Sequence, residues 1–165
     1  PGLTEGFFES AEPPTSVLSM AQFLRRFPEG TYDFDGKTLD GDELEGETEF
    51  THVMPAAPAN LTPADGALVA PSEPLVLSFD PVASDLSGAP LTPELYEVIL
   101  QNEDTGRTLT VELDGDLAGP SVSVPRGFVV PGTEYKFEVI VQEESGNRTI
   151  TEVAFATAGT APRDR

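Results

Sequence analysis

The sequence predicts a mainly β protein whose C-terminal hundred residues form two stacked antiparallel sheets. Short apolar runs recur at 75–79, 95–100, 109–113, 122–124, 135–141 and 149–155. Turn-forming residues separate them: Ser87-Gly88, Asp104-Thr105-Gly106, Asp114-Gly115-Asp116, Pro131-Gly132 and Gly146-Asn147. Several short strands punctuated this way argue for a sandwich or barrel. In the longest run Tyr135, Phe137, Val139 and Val141 alternate with Glu134, Lys136, Glu138 and Ile140. A period of two buries one face and leaves the other mostly wet.

Composition narrows the function classes. The 165 residues carry a net charge of −20, spread over both halves: residues 1–55 hold 12 acids and 3 bases, residues 56–165 hold 17 and 6. An evenly acidic surface repels phosphate backbones and anionic bilayers, which argues against nucleic-acid partners. No stretch approaches the roughly 20 apolar residues that span a bilayer, so membrane insertion is not expected. Cysteine is absent, which removes disulfides, thiolate metal sites and thiol nucleophiles. The opening Pro1-Gly2-Leu3 reads as an internal start within a longer exported chain.

The elements follow in order. Residues 1–15 read as irregular, because Pro13-Pro14 bars a helix. A short helix is expected over about 20–27. Ser19 caps it, Gln22 completes a capping box, and Leu18 and Phe23 stand at hydrophobic-staple spacing. Arg25 and Arg26 suit its C-terminal end, and Pro28 stops it. The Asp35-Gly36 and Asp40-Gly41 pairs are hairpin signals and predict a three-stranded meander over about 31–34, 37–39 and 43–53. The N-terminal extension thus runs over 1–55. Pro55-Ala56-Ala57-Pro58 reads as a linker or the start of a strand. The sandwich occupies 58–157, and 158–165 read as a disordered tail.

The run Val129-Val130-Pro131-Gly132-Thr133-Glu134-Tyr135 is similar to the Leu-x-Pro-Gly-Thr-x-Tyr pattern before strand F of fibronectin type III modules. Val129 takes the Leu position, Pro131 the turn and Tyr135 the tyrosine corner. The resemblance extends from about Pro58 to Thr157. Leu75 to Pro81 resembles strand B, with Phe79 where the family usually has a core Trp. Tyr96 to Leu100 resembles strand C, Arg107 to Leu113 the next strand, Val122 and Val124 strand E, and Ile150 to Phe155 strand G. It implies an immunoglobulin-like β-sandwich with Tyr96, Val98 and Leu100 pointing inward. Residues 7–13, 27–32 and 51–55 have no counterpart in that module and resemble a lead-in segment of uncharacterised exported bacterial proteins. A periplasmic or extracellular location follows from that resemblance.

Ile99 and Ile140 have outward parity on strands C and F, which are neighbours in this fold. Sandwich outer faces are usually polar, so an apolar spot there needs an explanation. The sequence offers two: the N-terminal segment, with Leu18, Phe23, Leu24 and Phe27, docks on it, or the two isoleucines form a partner-binding patch.

Few residues suggest chemistry. Asp33, Asp35, Asp40, Asp42 and Glu43, with Glu45, are the candidate ligands for a hard cation such as calcium. EF-hand spacing is not met, and Asp-Gly pairs have a turn-making role of their own. His52 is the sole histidine, which suits a structural partner better than a triad or a zinc site. With 29 acids, a pair at glycosidase separation carries no signal. Asn60-Leu61-Thr62 and Asn147-Arg148-Thr149 match the glycosylation pattern, which also arises often by chance. No catalytic constellation is present and no cofactor is expected. The reading is a non-catalytic structural or protein–protein interaction module of a larger exported protein. Its partner is another protein or the rest of the parent chain, met through Ile99 and Ile140 or through loops 102–107 and 143–148. Two alternatives stand beside it: a calcium-dependent structural or adhesive module, and a carbohydrate-binding or enzyme-accessory module.

Overall fold

The computed structural model describes residues 16–71 and 74–159. The irregular segment expected over 1–15 lies outside the described residues, as does the part from 160 onward of the tail expected over 158–165. Ala158, within that tail, is instead held by its amide's bond to the Val69 carbonyl at 2.8 Å. The chain divides into two units between His52 and Val53.

In the first unit the predicted helix forms as α1 (Met20–Arg26). The Ser19 hydroxyl accepts from the Gln22 amide at 3.3 Å, and the Gln22 side chain accepts from the Ser19 amide at 3.0 Å. This reciprocal pair satisfies two of the donors that a helix start leaves orphaned. The Phe23 and Phe27 rings pack at 5.0 Å along one side.

A hairpin follows, β1 (Gly30–Lys37) and β2 (Glu43–Phe50), rather than the three-stranded meander that the two Asp-Gly pairs suggest. Only Gly41, at φ 94, takes the left-handed conformation of a turn. Thr38 closes the loop around it: its amide donates to the Asp42 carbonyl at 2.9 Å, and its hydroxyl accepts from the Asp42 amide at 3.0 Å. Asp35-Gly36 instead runs straight through β1, opposite Glu45 and Leu44. A turn there would leave a three-residue strand, whereas extension gives an unbroken antiparallel register from Gly30↔Phe50 to Lys37↔Glu43.

The second unit carries β3 (Ala59–Thr62), β4 (Leu68–Val69), β5 (Val76–Asp80), β6 (Leu95–Asn102), β7 (Thr108–Asp114), β8 (Ser121–Ser123), β9 (Glu134–Gln142) and β10 (Arg148–Thr157). They form a three-stranded sheet, β3-β5-β8, and a five-stranded sheet, β4-β10-β9-β6-β7. The arrangement is an immunoglobulin-like sandwich, and its core is the set of inward residues that alternation predicts. Tyr96, Leu100, Tyr135, Phe137, Val139 and Val141 are wholly buried, and they meet Leu61, Leu75, Leu77, Phe79 and Val122 from the smaller sheet.

Phe79 fills the position where a Trp is usual by packing edge-on to Tyr96, with ring centroids 5.0 Å apart. Burial pushes the Tyr96 phenol pKa up. Its oxygen accepts from the Val82 amide at 2.8 Å, so the buried hydroxyl is not left without a partner.

β3 and β4 are absent from the sequence reading beyond the suggestion of a strand start near Pro58. In β3 Asn60 adopts φ 54, and the register against β5 shifts between Ala59 and Thr62. Such an irregularity hides the period of two. The Asn60 amide donates to the Asp80 carboxylate at 2.6 Å and holds it in place.

The loop after β5 is organised by Asp85. Its carboxylate accepts from the Ser87 hydroxyl at 2.6 Å and from the Ser87 and Ala89 amides at 2.8 and 2.9 Å. The Ser87 hydroxyl, followed by these amides, holds the Asp85 pKa below its ordinary 3.8. A depressed carboxyl stabilises the fold fully above the unfolded pKa and loses that contribution as pH falls through the folded one. An NMR titration of the Asp85 carboxyl is therefore expected to give a midpoint below 3.8. The loop's contribution fades as pH falls from about 3.8 through that midpoint, and Asp85→Asn removes this part of the acid dependence. A midpoint at or above 3.8 rejects the assignment.

Candidate protein-interaction face

The outer face of the five-stranded sheet carries the residues of opposite parity to the core. Antiparallel pairing sets Ile140 between Glu97 on β6 and Ile150 on β10, and sets Ile99 between Glu138 on β9 and Thr110 on β7. Ile99 and Ile140 are thus diagonal neighbours, about 7–8 Å apart in such a ladder. Both are half-buried. Ile150 extends the patch and is 51% exposed, and Leu95 lies one row further along, opposite Gln142.

Charge surrounds this strip. Glu138 and Glu152 face each other across β9 and β10. Lys136 bridges them, with its ammonium 3.1 Å from Glu138 and 3.6 Å from Glu152. The hydrogen bond to Glu138, then the two negative charges, raise the Lys136 pKa. Glu97 and Glu112 also face each other, across β6 and β7. Among the described residues no cation lies within ion-pair distance of either. Directly opposed like charges destabilise a sheet, so this pair favours the approach of an external cation. Arg148 donates to Gln142 at 2.6 Å and Gln142 to Glu94 at 2.7 Å, which ties the rim beside Leu95.

Of the sequence-predicted binding residues, the fold brings Ile99 and Ile140 together. Ile150 and Leu95 were missed: their outward parity is visible in the sequence, but their place beside Ile140 depends on the strand register. The two candidate loops are engaged internally. Asn102 accepts from the Thr105 amide at 3.0 Å. The buried Glu143 carboxylate accepts from the Ser145 and Asn147 amides at 3.1 and 3.0 Å, and from the Ser145 hydroxyl.

Pro131 and Tyr135 sit at the corner where the resemblance puts them. The Tyr135 hydroxyl donates to the Phe128 carbonyl at 3.1 Å and accepts from the Val130 amide at 2.8 Å.

The candidate metal ligands do not share one location. Asp33 and Asp35 lie in β1 on one face of the hairpin, with Glu43, Glu45, Glu47 and Glu49 across from or beside them, while Asp40 and Asp42 lie in the loop. Extended strands space carboxylates along a face instead of converging them. Among the described residues no three His, Asp or Glu side chains gather as a metal site. His52 is held in place by its neighbours: its Nε2 donates to the Phe27 carbonyl at 2.7 Å, and its amide donates to Glu29 at 2.7 Å. Of the two glycosylation tripeptides, the Asn60 side chain is bonded to Asp80, and the Asn147 side-chain Nδ2 donates to the Val53 carbonyl at 2.7 Å.

No family model matches the sequence, and no curated protein matches it. Solved structures do resemble the fold. The FN1–FN3 domains of chicken CNTN1 match with TM-score 0.42 and 14% identity over 81% of this chain and 46% of theirs. The fn3 domain of the human collagen alpha-1(XX) chain matches with TM-score 0.42 and 11% identity over 70% of this chain and 93% of its own. Domains d3–d4 of the rat CD45 extracellular region match with TM-score 0.37 and 11% identity over 77% of this chain and 64% of theirs. This chain therefore covers less than two thirds of the chicken and rat chains. Among the described residues no helix is long and apolar enough to cross a membrane.

Proposed function

We propose that this chain is a non-catalytic interaction module that presents the outer face of β10, β9, β6 and β7 to a protein partner. The carrying observation is the half-exposed Ile150 beside Ile140, next to an opposed and uncompensated Glu97/Glu112 pair. Apolar anchors fit an aliphatic segment, and the acidic surround selects a cationic one. The partner is therefore a segment in which aliphatic and basic residues alternate. Placement of the module in a larger exported protein rests on the resemblance of residues 7–13, 27–32 and 51–55 alone.

The test is an NMR titration with an eight-residue peptide alternating Lys and Ile, with a Glu–Ile peptide as control. The Lys peptide is expected to shift amides of Glu97, Ile99, Glu138, Ile140 and Ile150, and to bind more weakly as salt rises. Ile140→Glu replaces the apolar contact with a charge and is expected to weaken binding about tenfold or more. No shift at millimolar peptide, or shifts confined to the hairpin, would rule the face out.

A further inference from the structure

We propose that one face of the β1–β2 hairpin pairs with the same face of a second copy of this chain, about a two-fold axis that lies between the two hairpins and parallel to their strands.

The hairpin has two unlike faces. Asp33, Asp35, Glu43, Glu45, Glu47 and Glu49 lie on one, and Tyr32, Phe34, Leu44 and Phe50 on the other. Phe34 and Leu44 are 57% and 55% exposed. Each cross-strand pair on the apolar face joins one large residue to one small one: Gly30 with Phe50, Tyr32 with Thr48, Phe34 with Gly46, and Gly36 with Leu44. A two-fold along the strands lays β1 of one copy over β2 of the other at the same level. Phe34 then meets Gly46 of the second copy, Leu44 meets its Gly36, Tyr32 its Thr48 and Phe50 its Gly30. All four levels match large to small in both directions, which is what an isologous interface requires. A two-fold across the strands at the middle of the hairpin sets Tyr32 against Phe34 and Thr48 against Gly46, and matches no level large to small.

Gly36 and Gly46 point the same way. Neither has the positive φ that requires glycine. A Cβ on Gly36 would meet only Leu44 at 3.9 Å, and one on Gly46 only Phe34 at 3.9 Å, both ordinary contacts. The single chain has room for a Cβ at each position and no backbone need for glycine. Glycine inside a strand commonly marks close approach by another molecule or backbone, and here the approaching group is the aromatic or leucine side chain of the second copy.

Size and charge set the strength. Two strands of eight residues span about 27 Å by 10 Å, well under the ~800 Å² per partner of a standard stable complex. The pairing is therefore weak between free chains, in the high micromolar to millimolar range, and grows when copies are tethered. The acidic faces turn outward from the pair, yet each chain carries −20. Added salt is expected to strengthen association, as the screening length falls from about 10 Å at 0.1 M to about 3 Å at 1 M. That is opposite to the salt response of the sheet face.

The test is sedimentation equilibrium and concentration-dependent NMR on the full chain at high salt. The wild type is expected to associate, with shifts at Phe34, Gly36, Leu44 and Gly46. Gly46→Phe sets Phe against Phe and abolishes association. The double change Phe34→Gly with Gly46→Phe exchanges large for small and restores it. Nuclear Overhauser contacts between Tyr32 and Thr48 show whether the hairpin persists in each variant. Leu86→Glu, at an exposed loop residue of the other unit, leaves association unchanged. The proposal is overturned by no concentration dependence at millimolar chain, by Phe34 shielded at every dilution, by an exchanged variant that keeps its hairpin but does not recover, or by equal loss in Leu86→Glu.

Discussion

Replacing Gly115 with alanine is expected to destabilise the sandwich by about 3 kcal/mol or more, at the upper end of overpacking costs. A Cβ built there would sit 2.0 Å from the Pro93 carbonyl oxygen, 2.4 Å from its carbon and 2.9 Å from the Glu94 carbonyl carbon. These are backbone atoms, so no rotamer change relieves the overlap. Gly115 does not have positive φ, so the requirement is for space alone. Its amide also donates to the Glu94 carbonyl at 3.1 Å, where β6 and β7 begin to pair. Separating the two segments by an ångström weakens that bond and the Leu95↔Asp114 step beside it. The measurement is a urea midpoint at unchanged m-value, or a melting temperature lowered by roughly 4–8 °C per kcal/mol for a domain of this size. A loss under about 1 kcal/mol, the ordinary scale of a point substitution, would show that the segments part freely.

Tyr135→Phe is expected to cost about 2–4 kcal/mol, with the ring packing kept. Phenylalanine preserves the stack on Phe155, whose centroid lies 5.6 Å away, and removes only the hydroxyl. Two backbone groups then lose their partner, the Phe128 carbonyl and the Val130 amide, and the Asn102 side chain loses its 3.4 Å contact. Leaving a buried polar group unsatisfied costs about 1–3 kcal/mol each, more than the bond itself contributes. A double-mutant cycle with Asn102→Ala isolates the weaker third contact. If Tyr135→Phe matches the wild type in denaturant, the corner acts by shape and not by hydrogen bonding.

Much of the sandwich is legible because its signals are local. The alternation in β6 and β9 fixes which side chains enter the core, and Pro131, Gly132 and Tyr135 lie close enough together to mark the corner. The Ser19–Gln22 box places the helix for the same reason. What the sequence hides depends on residues distant along the chain. β4 is two residues long and exists because β10 lies beside it. β3 is obscured by Asn60, whose left-handed backbone breaks the alternation. The two Asp-Gly pairs look equivalent, yet only Gly41 takes a positive φ. The outer apolar strip is half visible in the sequence: parity places Ile99 and Ile140 outward, but Ile150 joins them only through the β9–β10 register. Gly36 reads as a turn signal until the register shows it in an extended strand.

The parallel pairing of β4 with β10 bears on how the sandwich answers tension. Hydrogen bonds along the pair link the segments: Gly66 to Ala154 at 2.7 Å, Ala156 to Ala67 at 2.9 Å and Ala158 to Val69 at 2.8 Å, with the Ala154 amide also donating to the Asp65 carboxylate at 3.0 Å. Pulling outward on the chain before β4 and after β10 drags the two segments past each other along their length. These bonds then share the load and must rupture together in shear, whereas an antiparallel terminal pair would unzip one bond at a time.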